Sequence, residues 1–357
     1  MEPGDRMLYD RSIAPERTRI GDAAMLRAWS RRLIAEMAVQ DWVSFAYLSV
    51  LVMAVYLAPD SAGRTLNLEL LGLLAAIFAA TVVLVRGAIL GRTWFAALLY
   101  RVVILVTLLG SYFMLRGLLP VVNTGALDAP LHQLDLRLFG FEPAVWLDRF
   151  VTPGTTEWFA FFYYSYFFVL ALHTLPMLLL GRRMKEFAVF SLGFLLVYYS
   201  AHVLYMIVPG YGPCRFLAHV FQNPLPVGFW YQRVLDMVNG AGAQKDIFPS
   251  LHTAGPTFCV LYSFSRRDTA PFKYTWPITA FFTANIIIAT MFLRWHYIID
   301  VIAGVTLAYA SYKLSRIIAT REHNAREAKG LRTVWANLWT DRQAEVSVAP
   351  SKSEPAR

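Results

Sequence analysis

Two short motifs carry residue types that can perform phosphoryl-transfer chemistry. The FPSLHTA motif places His252 in the first turn of a helix, after a helix-start signature at Ser250. The RWHYIIDV motif places His296 and Asp300 four residues apart and therefore on one helix face. A carboxylate on that face can orient the imidazole, so the two motifs together predict a pair of reactive histidines.

Transfer of a phosphoryl group needs a nucleophile, an acid for the leaving oxygen and positive donors around the phosphate. We expect His296, held by Asp300, to attack phosphorus and form a phosphohistidine, and His252 to protonate the leaving group. Further phosphate contacts are expected from Arg294, from Ser250 and the free backbone amides beside it at the helix start, and from an upstream cation. Arg215 and Lys245 are the candidates for that cation.

Other polar residues near these motifs allow different interpretations. His202 and Tyr297 are candidate lining residues of the same cavity, although a packed core role for His202 is the alternative. A metal site is a second alternative, since His/Asp pairs four residues apart do bind metals. The set lacks a third clear ligand and supplies cations that would repel a metal ion. We therefore expect neither a metal nor a cofactor.

The composition places these motifs in a membrane protein. Of the 357 residues, 57% are hydrophobic and 16% are charged, which lies outside the range of soluble domains. The net charge of +9 could indicate nucleic-acid binding. The positive residues are instead concentrated in the segments expected to face the cytoplasm, which accounts for the charge without nucleic acid. Cys214 and Cys259 lie in different settings and predict packing residues, not a disulfide or metal framework.

Apolar runs long enough to cross a bilayer predict an all-α, polytopic bundle of about eight transmembrane helices. The runs cover residues 42–58, 68–90, 95–116, 157–180, 187–208, 250–266, 274–293 and 297–318. We expect three regions: a basic amphipathic arm at 1–40, a transmembrane catalytic domain at 41–318 and a polar tail at 319–357. The end of the tail, residues 344–357, has a composition typical of disorder.

The distribution of cations predicts the orientation in the membrane. With both termini in the cytoplasm, 25 of the 33 Lys and Arg residues fall on the cytoplasmic side. Both motifs then lie at the opposite face, outside the cytoplasm. The arm is expected to lie on the membrane surface, with an ordinary solvated helix as the alternative. The long outer connections 117–156 and 209–249 cap the site or, alternatively, lie on the bilayer as surface helices.

The two motifs resemble the second and third signature motifs of the type 2 phosphatidic acid phosphatase superfamily. PSLH in place of PSGH is similar to the branch containing inositol phosphorylceramide synthases, and the stretches DLRLFGFEPAVWL, YYSYF and PGYGPCR also resemble bacterial members of that branch. The resemblance spans roughly residues 130–315. It implies a six-helix phosphatase-like core, about 95–318, with His296 as nucleophile, Asp300 as its partner and His252 as acid, and with Arg294 and Ser250 as phosphate contacts.

The chain departs from the family at the first signature motif, because no Lys followed by Arg-Pro occurs here. Cys214 follows Pro213 where the resemblance predicts an arginine, so Arg215, Arg233 and Lys245 remain the candidate substitutes.

These observations predict a membrane lipid phosphotransferase, with a lipid or polyprenyl phosphate phosphatase as the close alternative. The expected partners are a lipid phosphate or phospholipid and the bilayer, and the expected location is a bacterial inner membrane. A transporter or channel is less favoured, because its ionisable groups would lie at the midplane of repeated halves.

Overall fold

The computed structural model describes residues 14–180 and 183–338, and these ranges fold into helices and connecting loops without a β-strand. A 3-10 turn at Asp148–Phe150 separates the sixth and seventh helices. The described helices are α1 (Ala14–Glu36), α2 (Val39–Tyr56), α3 (Ala62–Arg86), α4 (Trp94–Val122), α5 (Asp128–Phe139), α6 (Pro143–Leu147), α7 (Pro153–Leu180), α8 (Met184–Ile207), α9 (Pro213–Phe216), α10 (Phe229–Ala241), α11 (Leu251–Phe264), α12 (Phe272–Phe292) and α13 (Ile298–Ala328).

Seven of the described helices are long and apolar enough to cross a membrane: α2, α3, α4, α7, α8, α12 and α13. The expected polytopic helical bundle is therefore confirmed. The eighth expected span, 250–266, corresponds to α11, which has only 14 residues. At 1.5 Å per residue α11 is about 21 Å long, shorter than a hydrocarbon layer of about 30 Å. Its backbone is surrounded by α7, α8, α12 and α13. A segment that does not cross the whole bilayer is tolerated at membrane depth when it is buried in protein in this way.

Helix α8 forms the centre of the bundle, and most of its side chains are buried. It packs against α13, α11, α4 and α2. A Cβ atom at Gly193 of α8 would lie 2.4 Å from the Phe258 ring of α11. The absence of a side chain at this position therefore lets α8 and α11 approach closely, and this contact fixes the helix that carries His252.

The end of the bundle away from the two motifs is closed by a polar network and by the segment 329–338. Arg86 donates from Nε to Asp41 Oδ2 at 2.8 Å, and Tyr100 donates to the same carboxylate. Trp335 is 1% exposed and stacks on Phe187 at a centroid distance of 4.4 Å. We call this region the tail end.

The boundaries expected for the arm and the tail remain predictions, but the described helices locate both. Helix α1 lies within the arm, and Trp29 Nε1 donates to the Gly87 carbonyl at 3.2 Å. Helix α13 continues through position 318 to Ala328 without a break. Residues 1–13 of the arm, and the segment 344–357 expected to be disordered, lie outside the described residues.

The opposite end, which we call the site end, is covered by the short helices α5, α6, α9 and α10. Four carboxylates hold these connections by accepting backbone N–H groups. Asp128 accepts from Tyr211 and Gly212, Asp135 from Ile298 and Ile299, Asp148 from Gln222 and Asn223, and Glu157 from Trp230 and Tyr231. Each carboxylate satisfies donors that would otherwise be unpaired at a helix start or turn.

Candidate active site

The His296 imidazole lies at the site end, between α12 and α13, with Asp300 behind it. Nδ1 of His296 is 3.4 Å from Oδ2 of Asp300, and the two side chains are 7% and 0% exposed. The same Asp300 oxygen accepts the Tyr297 backbone N–H at 2.9 Å, which caps α13. One carboxylate therefore caps the helix and contacts the imidazole. The spacing in the RWHYIIDV motif does place both side chains together.

The backbone before α13 turns sharply to place His296. Arg294 has a φ of +68°, in the left-handed region, and the amides of Trp295 and His296 both donate to the Thr290 carbonyl, at 2.9 and 3.1 Å. From the cap, Asp135 accepts the first two amides of α13 at 2.8 and 3.1 Å. His296, the candidate nucleophile, therefore lies in a turn that hydrogen bonds hold to Thr290 of α12 on one side and to Asp135 of α5 on the other.

His252 lies in the first turn of α11, directly after the Ser250 N-cap. The Ser250 hydroxyl accepts the Thr253 amide at 3.3 Å. The imidazole is enclosed by two rings of α7: Tyr163 stacks on it at a centroid distance of 4.1 Å, and Tyr166 lies at 4.2 Å. Among the described residues the His252 Nε2 atom has no hydrogen-bond partner. A buried, unpaired nitrogen beside a cavity is available to a ligand.

One cavity of about 430 Å³ brings the two histidines together. Its lining includes His252, His296 and Trp295 at the site end and continues between α4 and α7 to Leu105 and Leu175. On α7 the lining runs from Tyr163 to Leu175, about 18 Å along the helix axis. Phe113 of α4 is 58% exposed and Leu175 of α7 is 47% exposed. The apolar part of the cavity therefore reaches the outer surface of the bundle.

The candidate cations lie in different surroundings. Arg215 is exposed and lines the cavity, where it donates to Gln244 Oε1 at 3.3 Å. Lys245 is buried and donates from Nζ to the carbonyls of Asn123, Thr124 and Gly125 at 3.2, 3.0 and 3.0 Å. Arg233 lies on α10 beside Asp236 at 3.7 Å. Of these three cations, Arg215 alone is among the described residues that line the cavity.

Arg294 is engaged by the cap instead of facing the cavity. It donates from Nη2 to Asp148 Oδ1 at 2.7 Å and to the Asn223 carbonyl. Its guanidinium lies 3.9 Å from the centre of the Phe221 ring. These contacts tie the turn before His296 to the outer connections, and Arg294 does not belong to the described cavity lining.

The remaining predicted residues support the site from outside the cavity. Ser250 is fully buried, and its amide donates to the Asp300 carbonyl at 3.0 Å, which links the two motifs. His202 is fully buried and its Nδ1 pairs with the Tyr47 hydroxyl at 2.8 Å. The Tyr297 hydroxyl donates to Asp128 at 3.3 Å. Neither His202 nor Tyr297 is among the described residues that line the cavity.

Asp246 lines the cavity and was not singled out from the sequence. Its Oδ2 accepts from the Tyr112 hydroxyl at 3.3 Å, and its backbone bridges to Gly210. Lys245 and Asp246 point to different sides of this connection, Lys245 toward the carbonyls of residues 123–125 and Asp246 toward the cavity. The signal in the sequence is its position, since QKDI directly precedes the FPSLHTA motif.

Burial governs the protonation of the polar groups at the site end. Burial lowers the pKa of His296 to about 4, while the nearby Asp246 and the Ile247 backbone act in the opposite direction. Burial raises the pKa of Asp246, while its own backbone N–H, His296 and the Tyr112 hydroxyl act in the opposite direction. Burial also raises the pKa of Glu142 in the cap to about 8. The His296 imidazole is therefore neutral at neutral pH, as a nucleophile must be.

Within the described residues no group of three or more His, Cys, Asp or Glu side chains is arranged to hold a metal ion. The described site instead offers two imidazoles, a carboxylate behind one of them, and one arginine at the cavity. This set can support nucleophilic and acid–base catalysis on a phosphate ester.

Comparison with known proteins identifies the family of the chain. A family model, described as the PAP2 superfamily, matches residues 129–314, which run from the first turn of α5 through α12 to about the middle of α13. No curated protein and no solved structure matched the chain. The matched range contains His252, His296 and Asp300 and covers more than half of the chain. The protein therefore belongs to the PAP2 superfamily, whose members are phosphatases and phosphotransferases that act on lipid phosphates.

Proposed function

We propose that the protein is a membrane lipid phosphotransferase of the inositol phosphorylceramide synthase-like type. In this proposal a phosphate-bearing headgroup moves from a donor lipid to a lipid hydroxyl through a phosphohistidine on His296. The observation that carries the proposal is that His296 and His252 line one cavity, with Asp300 behind His296.

In the first step a proton on Nδ1 of His296 points toward Asp300, which leaves the Nε2 lone pair free to attack. A P–N bond forms and the P–O bond to the donor lipid breaks. Burial lowers the pKa of His252 to about 3, so His252 takes up its proton as the anionic phosphate binds beside it. It then gives that proton to the departing oxygen. Asp300 stabilises the positive charge that develops on the His296 ring.

In the second step the hydroxyl of the acceptor attacks phosphorus. A P–O bond forms, the P–N bond breaks and its electron pair returns to His296. The acceptor proton passes to the now neutral His252, which restores the starting protonation states. Arg215 at the cavity, together with the amides at the start of α11, provides positive donors for the phosphate oxygens.

The apolar extension of the cavity favours transfer over hydrolysis. Its walls on α4 and α7 are hydrophobic and aromatic, and it reaches the surface that faces the bilayer in a helix bundle of this kind. Lipid chains can occupy such a space because transfer of apolar surface out of water is favourable. An acceptor delivered from the bilayer would exclude water from the phosphohistidine.

The orientation belongs to the same proposal. The charge distribution supports cytoplasmic termini and a site on the outer face of a bacterial inner membrane. A cysteine introduced at exposed His219 should then react with a membrane-impermeant thiol reagent in intact cells, and one at Lys329 should not. The reverse pattern would contradict the orientation.

The activity is tested with the purified full-length protein and the His296→Ala variant in mixed membrane lipids, with lipid products and free phosphate followed by mass spectrometry. A new headgroup-bearing lipid made by the wild type alone supports the phosphotransferase. Free phosphate without a new conjugate would make the protein a phosphatase. The absence of both products would favour a transporter over an enzyme.

A further inference from the structure

The cavity next to His296 carries a carboxylate that the proposed transfer does not use. Among the described residues that line the cavity, Asp246 is the only carboxylate and Arg215 the only residue with a permanent positive charge. The Asp246 side chain is half-buried. Burial raises the pKa of Asp246, because a carboxylate in a mainly apolar enclosure is costly unless an opposite charge compensates it. A bound cation would supply that charge.

No such charge comes from the described protein. The Asp246 carboxylate is contacted by the Tyr112 hydroxyl at 3.3 Å and by backbone groups of Gln244 and of Asp246 itself, all of them neutral. Lys245, its neighbour, is held by three backbone carbonyls, and Arg215 contacts Gln244. His296 is within electrostatic reach, but burial lowers its pKa to about 4, so it is neutral at pH 7.

The other carboxylates of the site end have a different environment. Asp148 pairs with Arg294 at 2.7 Å, and Asp135 accepts two amides at the start of α13. Their structural roles are accounted for by these contacts. Asp246 instead faces the ligand space, where Tyr112 donates to it. Three further tyrosines line the same cavity: Tyr163, Tyr166 and Tyr205.

We propose that Asp246 and the tyrosines around it bind the ammonium group of a zwitterionic phospholipid headgroup, so that the transferred group is of the phosphoethanolamine or phosphocholine kind. A carboxylate surrounded by aromatic rings recognises organic cations by charge and by cation–π attraction. The inference rests on the proposed function and narrows it, because it assigns to the His296 site a zwitterionic headgroup in place of the inositol phosphate after which the branch is named.

The charges of the lining fit this class of substrate better than the alternatives. A zwitterion places its phosphate toward Arg215 and the histidines and its ammonium toward Asp246. A phosphomonoester carries a larger negative charge, which Asp246 would repel. An inositol headgroup offers hydroxyl groups that can bind the tyrosines, but it leaves the carboxylate without a counter-charge.

The test measures binding separately from turnover. Short-chain lipids with matched acyl groups and ethanolamine, choline, inositol, glycerol or unsubstituted phosphate headgroups are titrated calorimetrically into the full-length His296→Ala protein in detergent. We expect the ethanolamine and choline lipids, or one of the two, to bind about tenfold more tightly than the others. Equal affinities, or tightest binding of the inositol lipid or the phosphomonoester, would overturn the inference.

Substitutions then assign the preference to Asp246. Asp246→Asn on the same background should abolish the discrimination, whereas Asp246→Glu, which keeps the charge, should retain part of it. Asp236→Asn is the matched control, because Asp236 is 52% exposed on α10 and lies outside the described cavity lining. A preference that survives Asp246→Asn in a folded protein would overturn the inference. A clear binding preference without headgroup transfer by the wild type would contradict the proposed function alone.

Discussion

Nδ1 of His296 and Oδ2 of Asp300 lie 3.4 Å apart, one turn along the start of α13. This separation is longer than an ordinary hydrogen bond, and catalytic hydrogen bonds often tighten only when substrate is bound. We therefore expect the pair to close when phosphorus is attacked, because the imidazole then becomes positively charged and is attracted to the carboxylate.

Asp300→Asn should lower kcat by about 10²- to 10⁴-fold, because the amide keeps the shape of the side chain but removes its charge. The amide oxygen can still accept the Tyr297 N–H, so the cap of α13 is preserved. The measurement is headgroup transfer by purified protein of unchanged melting temperature, with Asp236→Asn as control. A kcat equal to that of the wild type would show that the carboxylate does not act on His296.

His296→Ala should abolish turnover and the acid-labile protein-bound phosphate, since no other group would carry the covalent intermediate. The matched control is His219→Ala, because His219 is an exposed histidine of the same end of the bundle. The intermediate is trapped by rapid denaturation after mixing with a labelled donor. Substantial residual activity in His296→Ala would remove His296 as the nucleophile.

His252→Ala should reduce turnover by roughly 10²- to 10⁴-fold for lipid donors, because their alkoxide leaving groups need a proton. The loss should shrink for aryl phosphodiesters, whose phenolate leaving groups depart without one. The check is a series of donors that differ only in leaving-group pKa. An equal loss across the series would argue against His252 as the acid.

The acid limb of the pH profile should lie well below the ordinary range of histidine. Burial lowers the pKa of His296 to about 4, and the attacking form is the neutral imidazole. Protonation therefore removes the nucleophile only as the pH falls through about 4. This limb is measured in kcat/KM, which reports the free enzyme, with a phosphodiester that does not titrate in the same range. A midpoint near 6.5, the ordinary value, would contradict the assignment.

Trp335→Ala should destabilise the protein by about 3–5 kcal/mol, because it removes a large buried side chain from between α4 and α8. Trp94→Ala is the matched control: Trp94 is 63% exposed, so its loss should change stability by less than about 0.5 kcal/mol. Both variants are compared with the wild type by denaturant unfolding in detergent. Similar free energies of unfolding for the two variants would contradict the packing role of Trp335.

The spacing of residues along the sequence was sufficient to predict how the side chains within each motif are arranged. His296 and Asp300 share a face because they are four residues apart, and Ser250 caps α11 because its hydroxyl reaches the Thr253 amide. The long apolar runs also predicted the helices, but they did not predict where the helices end. The run 297–318, for example, corresponds to α13, which extends to Ala328. The length of an apolar run defines the part of a helix that lies in the bilayer, whereas caps and tertiary contacts define where the helix ends.

The directions of the charged side chains could not be predicted in the same way. Arg294 is adjacent to the histidine motif in sequence but pairs with Asp148, 146 residues away. Lys245 binds carbonyls 120 to 122 residues away. Such partners are set by tertiary folding, so sequence proximity to a motif was a poor guide to which cation faces the cavity.

The connection between α10 and α11 determines which of two adjacent, oppositely charged residues reaches the cavity. Lys245 and Asp246 point to opposite sides, one into a ring of carbonyls and the other into the ligand space. Exchange of the two residue types at positions 245 and 246 would therefore place an ammonium where the cavity now has a carboxylate, with every motif residue left intact.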